Sequence, residues 1–242
     1  MYIFGRNPVI ELLKTDKSVN KVCIAKGIKK GPLQEIIALT KEKRIPLQEV
    51  EKSYFDKVIP DENHQGVLAS VASAEYVEWE ELLTIAKEKE QDPLIVILDG
   101  LEDPHNLGAI LRTCDAVGVH GVIIPKRRTV SLTEGVAKSA AGAVEYVPVA
   151  RVSNITQTIE KLKQKGVWIL GAEMGGTSLY EQDLKMPLAI VIGSEGKGIS
   201  RLVKEHCDFL VSLPMLGSLN SLNASVAAGV IMYEALRQRT QV

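Results

Sequence analysis

The sequence predicts an α/β protein in two parts: a mainly parallel sheet flanked by helices over residues 93–242, preceded by a small α/β domain over residues 1–74. Three observations carry that expectation. After Pro93, short apolar runs at Leu94–Leu98, Val122–Ile124, Val167–Leu170, Leu188–Ile192 and Phe209–Leu213 alternate with stretches of helical spacing. Continuous apolar strands with helices between them are buried on both faces, which is the signature of a parallel sheet. Residues 75–92, by contrast, are strongly acidic, with Trp79, Leu82, Leu83 and Ile85 as the main apolar positions, and read as a linker containing one short helix. The third observation is length, since 242 residues accommodate two domains.

The N-terminal elements follow in order. Asn7-Pro8 reads as a helix cap followed by a first-turn proline, opening a helix through Leu13, and Val22–Ala25 reads as a strand. Pro32–Lys43 repeats apolar residues at helical spacing, and Gly66–Val71 closes the domain as a strand. Between them lies a basic, glycine-flanked loop, Lys26-Gly27-Ile28-Lys29-Lys30-Gly31.

Composition narrows the function classes. With 45% hydrophobic and 24% charged residues the chain can build a sizeable core, which excludes disordered and fibrous classes. The start of the chain lacks the pattern of a secretory signal, and no apolar run approaches membrane-spanning length. Cys23, Cys114 and Cys207 are widely spaced, which argues against a disulfide framework or a zinc site. The expectation is a cytoplasmic protein with reduced thiols, no membrane partner and no metal.

The net charge of −1 conceals a separation along the chain. Residues 1–48 carry ten Lys/Arg against four Asp/Glu, residues 49–92 four against twelve, and residues 93–242 fifteen against fourteen. A basic N-terminal segment suits phosphate contacts, although a solvated charged face would look the same.

Ligand sites of open α/β sheets lie at the carboxyl ends of strands, so three loops carry the functional reading. The first is Asp99–Gly108, where Asn106 is placed to cap the following helix. Arg112 lies six residues further, about 9 Å along a helix axis, within reach of the loop. A simple cap and a surface arginine fit that segment equally well. The second loop is Gly193-Ser194-Glu195-Gly196-Lys197-Gly198-Ile199-Ser200. Ile199-Ser200 stands where a phosphate-binding P-loop needs Lys followed by Ser or Thr, and Arg201 stands where a dinucleotide fingerprint needs glycine. What remains is a turn exposing backbone groups around one carboxylate, Glu195, or a purely structural glycine turn. The third is Leu213–Gly229, in which Ser218-Leu219-Asn220 is repeated as Ser221-Leu222-Asn223 before an Ala- and Gly-rich helix. Tight helix packing explains the alanines but not the doubled tripeptide.

Together these loops resemble those of the SpoU/TrmH family of RNA ribose methyltransferases across residues 93–242. Asn106 through Arg112 is similar to the family's N-x-G-x-x-x-R loop, Gly193–Gly198 to its G-[SA]-E-G-x-G loop, and Ser221–Ala227 to its S-L-N-x-S-x-A segment. The Ala-Ser-Val-Ala that follows favours the second Ser-Leu-Asn copy as the matching one. Gly5-Arg6-Asn7-Pro8-Val9 and Asn63-His64-Gln65-Gly66-Val67 further resemble RlmB-type members, which methylate a guanosine ribose in large-subunit ribosomal RNA.

The resemblance implies a SPOUT-type sheet with a C-terminal trefoil knot, a ribosomal-protein-like RNA-binding domain at the N-terminus, and a homodimer whose acceptor site draws on both subunits. S-adenosylmethionine would be the cofactor, held by Gly171, Ala172, Gly193, Leu213, Met215 and Leu222. Asn106, Arg112, Glu195, Ser221 and Asn223 would form the catalytic pocket. Arginine is essentially never deprotonated in proteins, so a positioning role suits Arg112 better than a basic one. Ribosomal RNA would be the partner, met by Arg6, Lys29, Lys30, His64, Lys126, Arg127 and Arg128, with transfer RNA as the alternative. A non-catalytic RNA-binding or assembly factor and a nucleotide hydrolase are the rival readings. Intact Asn106, Arg112, Glu195 and Ser221 argue against the former, and the missing lysine after Gly198 against the latter.

Overall fold

The computed structural model describes residues 1–28, 31–60, 62–218 and 221–240. The chain divides into two compact units, Met1–Glu75 with Ser131–Glu134, and Tyr76–Val130 with Gly135–Val242.

The first unit comprises β1 (Tyr2–Phe4), α1 (Arg6–Lys14), β2 (Val19–Ala25), α2 (Gln34–Glu42), β3 (Leu47–Val50), α3 (Lys52–Val58) and β4 (Val67–Val71). Its sheet runs β1-β4-β2-β3, antiparallel except for the β2/β3 pair. The two-residue period of β2 explains why both faces are covered. Val22 and Ile24 join Val9, Leu13 and Ile36 in one cluster, while Cys23 and Ala25 join Phe55 and Leu68 in another. Helix α1 starts differently from the sequence expectation. Gly5, at φ 87°, is the cap, and its carbonyl accepts the Val9 amide at 3.2 Å, so Asn7 falls inside the first turn. The short elements β1, β3 and α3 escaped the sequence reading because their apolar periods span too few residues. Ser131–Glu134 joins this unit through Leu132, whose carbonyl accepts from Asn20 Nδ2 at 2.9 Å and from the Ser73 amide at 3.0 Å.

The second unit begins with α4 (Trp79–Glu88), inside the stretch expected to be a linker. Trp79, Leu82 and Ala86 are buried, and Trp79 and Leu82 belong to the core cluster of the large sheet. The acidic composition that suggested a linker is that of an amphipathic helix with its charges outward. Glu78 and Glu81 close a capping box at its start.

There follow β5 (Leu94–Asp99), α5 (Pro104–Val117), β6 (Gly121–Pro125), α6 (Glu134–Ala140), β7 (Val149–Val152), α7 (Ile155–Gln164), β8 (Trp168–Ser178), β9 (Leu188–Gly193), α8 (Arg201–Glu205), β10 (Phe209–Ser212) and α9 (Ala224–Thr240). The strands form one six-stranded sheet, β10-β8-β9-β5-β6-β7, in which every pairing is parallel. Ile95, Ile97, Ala189, Val191 and Ile169 share one core cluster with Ile155, Ile159 and Leu162 of α7 and Val203 of α8. Helix α9 packs against β9 and against α5, where Cys114 Sγ lies 3.6 Å from Met232 Sδ. Strand β8 runs well past the expected Leu170 and pairs with β10 through a register shift at Leu210/Val211. That extension is what carries residues 172–174 to the site below.

Among the described residues no helix is long and apolar enough to cross a membrane. Cys23, Cys114 and Cys207 are free thiols. Burial pushes Cys114 far above the ordinary thiol range and Cys207 up to about 12.

Candidate functional site

The three loops singled out in the sequence converge at the carboxyl ends of β5, β9 and β10. Asp103, not Asn106, caps α5: its side chain accepts the His105 amide at 2.9 Å, with Pro104 in the first turn. A cap must precede the helix, and Asn106 lies inside it. That frees the Asn106 side chain, 4% exposed, to bond outward from the first turn.

The β9 loop is a tight bridge, with Ser194 and Gly198 exchanging amide-to-carbonyl bonds of 3.1 and 2.9 Å. Gly198 adopts φ 66°, a left-handed conformation natural to glycine. A Cβ on Gly193 would lie 2.1 Å from the Gly198 carbonyl carbon, so the bridge closes only with glycine at position 193. The bridge holds Glu195 between its two ends.

Asn223 provides the third element by capping α9. Its Oδ1 accepts from the amides of Ser225 at 3.0 Å and Val226 at 3.3 Å and from Ser225 Oγ at 2.6 Å. The remaining Nδ2 donates to Asn106 Oδ1 at 2.9 Å and to Glu195 Oε1 at 2.5 Å. Glu195 Oε1 also accepts from Asn106 Nδ2 at 3.1 Å and from the Ala224 amide at 3.5 Å. Three side chains far apart in sequence thus form one closed polar cluster at the start of α9, where the helix dipole favours a carboxylate. Asn223 belongs to the second Ser-Leu-Asn copy; Leu219 and Asn220 of the first lie outside the described residues.

Beside the cluster is a cavity of about 430 Å³. Ala172, Glu173 and Met174 of β8 line it together with residues 192–198, the end of β10 through Met215, and Ser221–Ala224 with Ala227 and Ile231 of α9. Of the expected cofactor residues, Ala172, Gly193, Leu213, Met215 and Leu222 line it. Gly171 does not; it lies one position earlier in β8, where a Cβ would stand 2.8 Å from Leu210 Cδ2 and 2.9 Å from Cys207 Sγ. Glu195, Ser221 and Asn223 line the cavity, while Asn106 stands behind them. Arg112 is exposed on α5, outside the lining, and its guanidinium has no hydrogen-bond or ion-pair partner among the described residues. Glu173 and Met174 were missed in the sequence because β8 seemed to end at Leu170.

The residues expected to meet RNA do not form one group. Lys126 is half-buried at the end of β6, and Arg127 and Arg128 are exposed just beyond it. In the first unit the Arg6 amide donates to Gln65 Oε1 at 3.2 Å. His64 stacks on Phe55 with ring centroids 4.5 Å apart, and its Nδ1 accepts the Gly66 amide at 2.9 Å. Lys29 and Lys30 lie outside the described residues.

The fold of this chain is shared with solved SpoU methyltransferases. The AviRb methyltransferase of Streptomyces viridochromogenes, solved with its cofactor AdoMet, matches all of this chain and 91% of its own at 24% identity, TM-score 0.64. An AdoMet-bound rRNA methyltransferase from Sinorhizobium meliloti matches 98% of this chain and 86% of its own at 25% identity, TM-score 0.61. A TrmH/SpoU tRNA modifying enzyme of A. aeolicus is 33% identical over 67% of this chain and 84% of its own, TM-score 0.57. The SpoU rRNA Methylase family model matches residues 93–233, and the model described as RNA 2′-O ribose methyltransferase substrate binding matches residues 2–77. YacO of Bacillus subtilis, named for the TrmH family of tRNA/rRNA methyltransferases, is 51% identical over all of this chain and 97% of its own length. The chain belongs to the SpoU/TrmH family of RNA methyltransferases.

Proposed function

We propose that the protein transfers a methyl group from S-adenosylmethionine to a ribose 2′-hydroxyl of RNA, with a guanosine of large-subunit ribosomal RNA as the acceptor. The observation that carries this reading is the Asn106–Glu195–Asn223 cluster closing one side of the 430 Å³ cavity. The cavity lies in the range of small-ligand sites. Its lining joins apolar Met174, Leu213 and Leu222 to the carboxylate of Glu195, which suits a donor that is part purine and part cationic sulfonium.

Bound there, the donor supplies an electrophilic methyl group and needs no metal. The chain's own work is to hold the acceptor in line, take up its proton and steady the oxygen as charge develops. Glu195 Oε1 is engaged by three donors, whereas Oε2 accepts none among the described residues and is available to a substrate hydroxyl. Arg112, permanently charged and without a partner among the described residues, holds the neighbouring phosphate or the developing alkoxide. Ser221 and Asn223 complete the polar wall.

Ribosomal RNA is favoured over transfer RNA by the first unit. The Sinorhizobium meliloti rRNA methyltransferase matches 98% of this chain, whereas the A. aeolicus tRNA modifying enzyme matches 67%. Residues 1–74 act as the RNA-gripping domain, Arg6 included, with His64 setting the turn at Gly66, and Lys126, Arg127 and Arg128 add phosphate contacts beside the catalytic sheet. Exposed Val226 and Tyr233 on α9, 51% and 53% accessible, support a homodimer formed through that helix. On this reading the protein acts in the cytoplasm.

The test combines ribose-methylation mapping in a deletion strain with transfer assays on purified protein. Loss of one large-subunit 2′-O-methylguanosine, restored by the wild-type gene and not by Arg112→Ala, is the expected result. Arg112→Ala should abolish transfer while donor affinity by calorimetry stays nearly intact; retained turnover would remove Arg112 from the acceptor site.

A further inference from the structure

Glu173 has no part in the acceptor cluster, yet it lines the donor cavity. The sheet order puts β9 between β8 and β5, so the loop leaving β9 is flanked by the end of β5 and by the middle of the longer β8. Glu173 comes from β8, and Asp99 is the last residue of β5. Each carboxylate accepts one backbone amide from the returning half of the loop: Ile199 donates to Glu173 Oε2 at 3.4 Å and Ser200 to Asp99 Oδ2 at 2.7 Å. The Glu173 side chain is 18% exposed, with Lys204 Nζ 3.4 Å from its Oε1. A Cβ on Gly198 would lie 3.0 Å from Glu173 Oε2, so the carboxylate occupies the space that a side chain at position 198 would need.

We propose that Asp99 and Glu173 are positioning residues that clamp the closing half of the glycine loop between the end of β5 and the middle of β8, fixing the shape of the donor cavity's wall without touching the reacting atoms. Lys204 holds the Glu173 carboxylate in place from the next helix. The clamp explains why a loop with no phosphate-binding lysine keeps a defined wall: its amides are satisfied by protein carboxylates rather than by a bound anion. The assignment rests on the cavity being the donor site, and its test separates the two ideas.

Hydrogen exchange on protein without donor reads the clamp directly. Glu173→Ala should speed exchange of the Ile199 amide, and Asp99→Ala that of Ser200, by about tenfold or more, the scale of one lost hydrogen bond to a charged group. Calorimetry and kinetics read its consequence. Glu173→Ala should weaken S-adenosylmethionine binding and raise the donor KM by about tenfold, with kcat and the RNA KM within about twofold of wild type. Glu173→Gln keeps an oxygen for the Ile199 amide and should recover most of the affinity, as Asp99→Asn should for its partner, and these variants serve where an alanine variant does not fold. Unchanged exchange in both alanine variants would overturn the clamp, as would a fall in kcat at unaltered donor KM or a glutamine variant as weak as alanine. Absence of saturable donor heat in the wild type would instead overturn the donor-site reading, while the exchange measurement still decides the clamp.

Discussion

In the first unit His64 is engaged by its own neighbours, its ring on Phe55 and its Nδ1 on the Gly66 amide. In the second, Asn106, Glu195 and Asn223 are engaged by one another across separations of 89 and 28 residues, and one of the Glu195 oxygens is left without a donor among the described residues. A polar side chain that bonds its local turn sets a backbone conformation. Polar side chains from three elements that meet beside a cavity leave valence for a ligand. The difference teaches that a family-like motif has to be weighed by what its side chains bond.

The largest effect that would sharpen this contrast is expected from Glu195→Ala. It removes the shared acceptor of the cluster and should slow single-turnover methyl transfer by about 10²–10³-fold, the cost of one transition-state-stabilising group. A loss under tenfold would reduce the cluster to a structural brace. His64→Ala should behave in the opposite way, lowering the stability of the first unit by about 1–3 kcal/mol in urea unfolding through the orphaned Gly66 amide. If it leaves stability unchanged and weakens RNA binding instead, the distinction between the units fails.

Smaller effects belong to the exposed arginines. Arg127→Ala and Arg128→Ala should each lower the slope of log affinity against log salt by about 1 if each meets one phosphate, with transfer on saturating RNA unaffected. A slope equal to that of wild type would remove them from the RNA surface. The smallest effect separates two glutamates near opposite ends of α9. Glu234, which is 7% exposed, accepts from Arg237 Nε at 2.8 Å and Nη2 at 2.7 Å and from Gln238 at 2.8 Å. The Arg237 guanidinium above all holds its carboxyl at about 2, against an ordinary 4.5. A carboxyl with a depressed pKa stabilises the fold fully above its unfolded value and loses that contribution as pH falls through the folded one. Glu234→Gln should therefore have a lower Tm than wild type near neutrality, with the gap closing between pH 4.5 and about 2 and turnover unchanged. A gap that persists at the acid end would show that shape, not charge, is what Glu234 contributes.

The sequence by itself determined the parallel sheet, because five of its strands are apolar runs long enough to be read, and it determined the three loops, because their residue types at fixed spacing have few other uses. It also singled out the second Ser-Leu-Asn copy, which stands at the start of an Ala-rich helix. Only tertiary structure decided that Asp103 caps α5 and so releases Asn106, that β8 continues to Glu173, and that the short helix expected in the acidic stretch packs into the core of the large sheet. Each of these depends on bonds or burial between residues distant in the chain. Local periodicity reports how a segment presents its side chains; it carries no information about which distant carboxylate, amide or strand edge will meet them.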